Sequence, residues 1–207
     1  MEKIQFDEKT FIYKTKLDLS EFKDVLLTEC NKIISSDPNN NTGAYDIVAS
    51  TDKSGRIMSL NNCIKDVIQF GIDNCIKLNE ELYDKVLHSC WVNVLQAQNI
   101  VQKYGHGEAM TKYHTHTEIS RHQNRFIPKF TYVYYVQMPD KLFDNDGVLN
   151  VMGQHEKEYF ILPEEGDLII LNGDTPHGPQ PAHNSSLDRI VIAGNVGFIK
   201  PFKYSFG

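Results

Sequence analysis

From about residue 88 onward the chain alternates short β-prone runs with turn signals, and this rhythm constrains the fold more than any other feature. The runs cover residues 90–95, 131–136, 147–151, 159–162, 167–171 and 189–193, with clusters of Gly, Pro and Asn between them. Val, Ile, Tyr and Phe dominate, as suits a pleated, half-buried surface. Many short strands punctuated in this way predict a β-sandwich or jelly roll.

Two helical patterns precede the β-rich region. Asp18-Leu19-Ser20-Glu21 reads as a capping box, followed by apolar residues at Phe22, Val25, Leu26, Cys30, Ile33 and Ile34. That amphipathic helix stops at Ser35-Ser36-Asp37-Pro38, and residues 39–43 form a turn-rich loop. A second helix is expected from about residue 59 to 78, burying Leu60, Ile64, Val67, Ile68 and Cys75. Residues 10–13 look like a short strand. There is no internal repeat and no composition shift that marks a linker. The expectation is therefore one domain over 1–207, mostly β with flanking helices. Residues 89–204 would form a jelly-roll core, and two N-terminal helices within 1–88 would brace one sheet.

The 207 residues suffice for one well-buried core, and a net charge of −6 argues against non-specific nucleic-acid binding. Cys30, Cys63, Cys75 and Cys90 contain no C-x-x-C pair, so a zinc ribbon or thioredoxin-like motif is unsupported and reduced core thiols are expected. The first residues carry no apolar run, and nothing approaches the roughly 20 apolar residues of a membrane span. A soluble cytoplasmic protein with no membrane partner is the expectation. Exposed strand edges would leave room for a homodimer.

The chemistry concentrates in His114-Thr115-His116, in His177, and in Arg189 on the strand that follows. Imidazoles two apart on an extended segment point to the same side, and a third from a distant strand can complete a metal site. Non-haem iron needs open positions on one face of the metal, usually secured by two histidines and a carboxylate. A jelly roll supplies such a set from one strand end and a second strand distant in sequence. With eight histidines in the chain, surface placement of the pair is the bland alternative. The run Pro163-x-x-Gly166-Asp167-Leu168-Ile169-Ile170-Leu171, a turn, and then Pro176-His177-Gly178 weighs against it, because both sides of the site occur in order.

Trp91-x-Asn93, His114-x-His116, Tyr134-Tyr135-Val136-x-x-Pro139, Gly147-x-Leu149, Pro163-x-x-Gly166-x-Leu168, His177-Gly178, Pro181 and Arg189-Ile190-x-Ile192-Ala193-x-Asn195 carry a more specific likeness. Over roughly residues 90–196 the chain resembles the 2-oxoglutarate-Fe(II) oxygenases of the double-stranded β-helix fold, in particular a small group from marine bacteria and their phages. The resemblance implies that His114 and His177 ligate iron and that Arg189 grips the distal carboxylate of 2-oxoglutarate. Arginine suits that task because its planar fork makes two charge-assisted hydrogen bonds to a carboxylate.

Two departures from the superfamily stand out. Its third ligand is usually a carboxylate, where this chain has His116; Glu118 or water are the alternatives to His116 as ligand. Many relatives also have a serine two after the arginine, where Val191 stands; Tyr135 is the candidate replacement among Tyr132, Tyr134 and Tyr135. Asn93 is a candidate for the cosubstrate's other end, although all these residues also suit ordinary sheet packing. The stretch 117–129, with Arg121, His122, Arg125 and Lys129, reads as a solvated loop with a lesser case for anionic substrate contacts. No role is expected for His88, His106, His122, His155 or His183, and most should be exposed.

The activity implied by the resemblance is Fe(II)- and 2-oxoglutarate-dependent hydroxylation with dioxygen as cosubstrate, releasing succinate and carbon dioxide. The substrate would be a peptidyl side chain such as proline, or a small metabolite. A cupin-like metal enzyme that does not use 2-oxoglutarate, or a non-catalytic jelly-roll binding module, are the alternatives. Arg189 discriminates, since a cupin has no need of a carboxylate clamp there.

Overall fold

The computed structural model describes residues 1–40, 43–60, 62–95, 113–117, 126–140, 147–180, 182 and 185–201. The described elements run β1 (Glu2–Gln5), β2 (Phe11–Lys16), α1 (Lys23–Ser36), β3 (Ala44–Ile47), α2 (Cys63–Leu78), β4 (Lys85–Leu95), β5 (Phe130–Gln137), β6 (Leu149–Met152), β7 (Glu158–Ile161), β8 (Asp167–Asn172), β9 (His177–Pro179) and β10 (Arg189–Ile199). They form a seven-stranded sheet ordered β1-β2-β8-β5-β10-β4-β3 and a three-stranded sheet ordered β7-β6-β9. Every pairing is antiparallel. The chain is thus mostly β with two helices, an arrangement consistent with a jelly roll.

Both faces of the large sheet are covered, which explains why β5 and β10 read as nearly continuous apolar runs rather than alternating ones. Phe130, Tyr132, Tyr134 and Val136 of β5 join Ile190, Ile192 and Val196 of β10 against the two helices. Their sequence neighbours Val133, Tyr135, Val191 and Ala193 face the other way and pack with Leu149 and Val151 of the small sheet. Helix α2 drives the first of these cores: Ile64, Val67, Ile68, Ile72 and Cys75 are buried along one stripe. Each large aliphatic among them contributes about 1.5–3 kcal/mol. The two helices therefore brace one sheet, as the sequence pattern predicts.

Several boundaries differ from expectation. Asp18 does not cap α1; its Oδ1 accepts the Ser20 N–H and starts a 3-10 turn over Ser20–Phe22, after which α1 begins with no side-chain cap. Helix α2 begins at Cys63 rather than near residue 59, because Asn62 is its N-cap and accepts the Lys65 N–H at 3.3 Å. Leu60 lies ahead of the helix and still packs on the core. Strands β4 and β10 run well past the apolar cores read from sequence, each to 11 residues. The four cysteines are free, with Cys30, Cys75 and Cys90 buried. Among the described residues no helix is long and apolar enough to cross a membrane.

The Pro163-x-x-Gly166 motif has a backbone explanation. Gly166 sits at φ +84°, where a Cβ would also press on the Leu17 carbonyl. Its N–H donates to the Tyr135 carbonyl at 2.8 Å and its own carbonyl accepts the Leu17 N–H at 2.9 Å, tying the turn before β8 to both neighbouring strands.

Candidate metal and carboxylate site

His114 and His177 are held as partners by an isolated antiparallel bridge: each backbone N–H donates to the other's carbonyl, at 3.0 and 3.1 Å. The bridge extends the small sheet by one residue beyond β9, and it sets the two imidazoles side by side with ring centroids 4.8 Å apart. His116 reaches the same place by another route. The sequence argument put His114 and His116 on one extended strand, but His116 already begins a helical turn. The N–H groups of His116 and Thr117 both donate to the Gly173 carbonyl, at 3.0 and 3.2 Å. Bridge and turn together, rather than strand alternation, bring the two side chains to one side.

Ligand atoms of His114, His116 and His177 all lie within 4.8 Å of one another, and no other such group occurs among the described residues. The Nε2 atoms of His116 and His177 are 3.3 Å apart. Two nitrogens bound to one metal at about 2.1 Å, roughly at right angles, would be separated by roughly 3 Å, so this pair needs little adjustment to share an ion. His177 Nδ1 donates to the Thr175 carbonyl at 2.8 Å, which leaves the lone pair on Nε2, facing the other rings. Burial, with His114 alongside, holds the His177 imidazole down at about 4. Burial and the two neighbouring imidazoles likewise keep His116 well below its ordinary value. Both rings are therefore neutral at pH 7, the state a metal ligand needs. Trp91 of β4 stacks on His116 at 5.6 Å.

Arg189, Tyr135 and Asn93 stand on the same inner face of the large sheet. Val191 is the Cα partner of Asn93 on one side and of Tyr135 on the other. Arg189 lies two residues before Val191, with its guanidinium carbon 5.8 Å from the centre of the Tyr135 ring. Tyr132 and Tyr134 face the helices instead, so alternation selects Tyr135 from the three tyrosines. Arg189 is 4% exposed, yet its Nε and Nη1 have no hydrogen-bond partner, and neither have the Tyr135 hydroxyl and Asn93 Oδ1. Burial pushes the Tyr135 phenol up to about 12 and lowers the Arg189 guanidinium from its usual value, with Tyr135 opposing the latter change. Buried polar groups are normally paired, so orphaned donors on a cation beside a phenol mark a place for an anion. A carboxylate fits this donor set.

Glu118, Arg121, His122, Arg125, His106, Pro181 and His183 lie outside the described residues. His88 is not fully exposed: it is partly buried on the helix side of β4 and shares a hydrogen bond with the Tyr132 hydroxyl at 2.9 Å. Two features of the site were not read from the sequence. The Thr175 carbonyl that orients His177 is a backbone group, which no residue type announces. The Trp91 stack had a signal, since Trp91 precedes Asn93 by one step of the same face.

No protein-family profile matches the chain, and no characterised protein matches it by sequence. Among solved structures, a prolyl-4-hydroxylase from Pseudomonas putida superposes with a TM-score of 0.54 at 15% identity, covering 92% of this chain and 93% of the other. An oxidoreductase of the 2OG-Fe(II) oxygenase family from Burkholderia pseudomallei gives a TM-score of 0.46 at 10% identity, over 77% and 70% of the two chains. Only the first is close enough to speak for the architecture. The chain shares the fold of that prolyl-4-hydroxylase, and its sequence resemblance to the 2-oxoglutarate-Fe(II) oxygenases is met at the level of fold.

Proposed function

We propose that the chain, as a single double-stranded β-helix domain, is an Fe(II)- and 2-oxoglutarate-dependent dioxygenase that hydroxylates a small molecule or a peptidyl side chain. The observation that carries this reading is the buried guanidinium of Arg189, with Nε and Nη1 unpartnered, on the sheet face whose Trp91 stacks on His116, one of three converging imidazoles. A metal site alone would suit a cupin-like enzyme equally well; the orphaned cation beside it would then have no purpose.

In this reading His114, His116 and His177 hold Fe(II), and Arg189 holds the distal carboxylate of 2-oxoglutarate through an edge of its guanidinium that includes an unpartnered N–H. Tyr135 donates its hydroxyl hydrogen to the same carboxylate, in place of the serine that Val191 replaces. Asn93 steadies the other end. When bound, iron and 2-oxoglutarate supply the oxidative chemistry with dioxygen, yielding succinate and carbon dioxide. The protein's part is geometric and electrostatic: His177 is locked in one tautomer by Thr175, His116 is held by the Gly173 carbonyl and Trp91, and both rings are buried. The fold likeness to a prolyl-4-hydroxylase supports the architecture, while the substrate is chosen by the site.

The test is anaerobic addition of Fe(II) and 2-oxoglutarate to metal-free protein. A visible metal-to-ligand charge-transfer band is expected, together with protection against unfolding by 2-oxoglutarate. Absence of both returns the chain to the cupin-like or purely binding alternatives. Metal retention in His116→Ala and Glu118→Ala decides the third ligand: loss only in the first assigns His116, loss only in the second assigns Glu118, and retention in both leaves water there.

A further inference from the structure

The inner face carries a second polar patch, on the opposite side of Trp91 from Arg189. Asn195 of β10 is the Cα partner of Ser89 on β4 and of Thr131 on β5. The three share a face with Trp91, Ala193 and Val133, the row that separates them from Asn93, Val191 and Tyr135. At about 3.3 Å per residue, Ser89 and Asn93 stand roughly 13 Å apart along β4 with Trp91 midway. Trp91 stacks on His116, so the imidazoles overlook the boundary between two differently furnished halves of one face. The backbone places the metal-binding turn at the Thr131 end. His116 is tied to the Gly173 carbonyl, and the Gly173 N–H donates to the carbonyl of Lys129, two residues before Thr131.

The two halves differ in charge. Where Arg189 makes one half cationic, Ser89, Asn195 and Thr131 are all neutral. Thr131 is fully buried and donates its hydroxyl hydrogen to Asn195 Oδ1 at 2.9 Å. With that oxygen engaged, the amide Nδ2 is the side of Asn195 left for a further partner. The Ser89 hydroxyl oxygen is buried and has no hydrogen-bond partner, which is costly unless something supplies one.

We propose that Ser89, Asn195 and Thr131 form the substrate subsite, and that it binds a neutral amide beside the metal. This rests on the proposed function, which assigns the Arg189 half to 2-oxoglutarate and leaves this half for substrate. An amide carbonyl accepts from Asn195 Nδ2 while an amide N–H donates to Ser89 Oγ, matching one free donor and one free acceptor. A carboxylate or an ammonium would lose its hydration here without meeting an opposite charge in the patch. A primary carboxamide and a peptide bond share this chemistry.

The experiment uses full-length protein loaded with Zn(II) and 2-oxoglutarate, so that ligands bind without turnover. Four ring-matched probes are followed by saturation-transfer NMR: benzamide, N-methylbenzamide, benzoate and benzylamine. The amides should bind at least about tenfold more tightly than either charged probe. Preference for benzamide identifies a carboxamide, and preference for N-methylbenzamide a peptide-type amide. Ser89→Ala and Asn195→Ala should each weaken the amide about three- to tenfold, the loss expected for one hydrogen bond. Ser89→Ala removes a hydroxyl that has no partner, so its unfolding midpoint should not fall and the result stays readable if Asn195→Ala is unstable. Tightest binding of benzoate or benzylamine, no amide binding by the wild type, or amide binding unchanged in both variants overturns the proposal. The charge-transfer band, recorded separately on the same wild-type protein, reports on 2-oxoglutarate. Amide binding without the band would sink the oxygenase reading and keep an amide site, and the band without amide binding would do the reverse.

Discussion

Replacing Arg189 with methionine should make the ligand-free protein more stable and remove the stabilisation that added 2-oxoglutarate is expected to give. The guanidinium is 4% exposed with Nε and Nη1 unpartnered, so in the absence of an anion the fold carries an uncompensated buried charge. Methionine retains much of the aliphatic stem and fills an irregular space without a polar head. Apolar replacement of buried ionic groups commonly stabilises by roughly 1–4 kcal/mol, and about 2 kcal/mol is a reasonable central figure here. In a chain of this size each kcal/mol moves the unfolding midpoint by about 2–4 °C, so a rise of roughly 4–8 °C is expected. For the wild type, 2-oxoglutarate at a hundred times its dissociation constant adds about 2.7 kcal/mol, and for the variant almost nothing. The order of stability should therefore narrow to near equality or invert when the cosubstrate is added. The assay is thermal and urea unfolding of both proteins, loaded with Co(II), with and without 2-oxoglutarate. A ligand-free variant that loses about 2 kcal/mol, or one that keeps the full 2-oxoglutarate shift, would show that Arg189 is structural and refute the reasoning.

His88 gives a pH-dependent prediction outside the site. Burial lowers its pKa from 6.5 to about 4, so the folded protein resists a proton that the unfolded chain accepts first. Its contribution is complete above pH 6.5 and is lost as the pH falls toward 4, on the order of 3 kcal/mol over that window. His88→Gln should flatten the fall in urea midpoint between those pH values; an unchanged slope would exonerate His88. Two glycines should resist substitution: a Cβ at Gly71 would approach the Tyr132 ring to 2.7 Å. One at Gly194 would come within 2.5 Å of Tyr132 from the other side, and Tyr132 is fully buried between them. Gly71→Ala and Gly194→Ala should each cost about 1–3 kcal/mol by urea unfolding, even though alanine adds about 1 kcal/mol of helix propensity at Gly71. A more stable Gly71→Ala would mean that Tyr132 can shift.

The strands that the sequence revealed are those whose burial the chain itself encodes. β5, β8 and β10 lie inside the large sheet and are apolar enough to be recognised alone. β1 and β3 occupy the two edges of that sheet, carry mostly polar or half-buried residues, and owe their extended form to the partner strand. The misjudged His88 follows from the same limit. The β-prone run read from the sequence begins at residue 90, whereas β4 starts at Lys85 and alternation sets His88 on the helix side with Cys90 and Val92. In the site, His177 and Arg189 sit on or at the head of β-prone runs with recognisable turns before them. Tyr135 could be separated from Tyr132 and Tyr134 only by knowing which parity of β5 faces the small sheet, a fact about three-dimensional packing.

The imidazole at position 116 becomes intelligible when the charges of the inner face are taken together. Three imidazole ligands, which carry no negative charge, would leave the full double positive charge of a divalent metal uncompensated, where the usual carboxylate would remove one unit. Arg189 adds a further positive charge on the same face. Among the described residues the one buried acid on that face, Asp167, is already engaged: Lys14 Nζ lies 2.8 Å from its Oδ2, and the Glu164 N–H donates to the same oxygen at 2.7 Å. Neither metal nor Arg189 therefore finds its countercharge among the described side chains that line the site. A dicarboxylate spanning the two would satisfy both at once, its keto-acid end on the metal and its distal end on Arg189. If the proposed oxygenase reading holds, His116 would shift the burden of neutralisation from the protein to the cosubstrate, and the unpartnered groups of Arg189 and Tyr135 are the ones that would receive it.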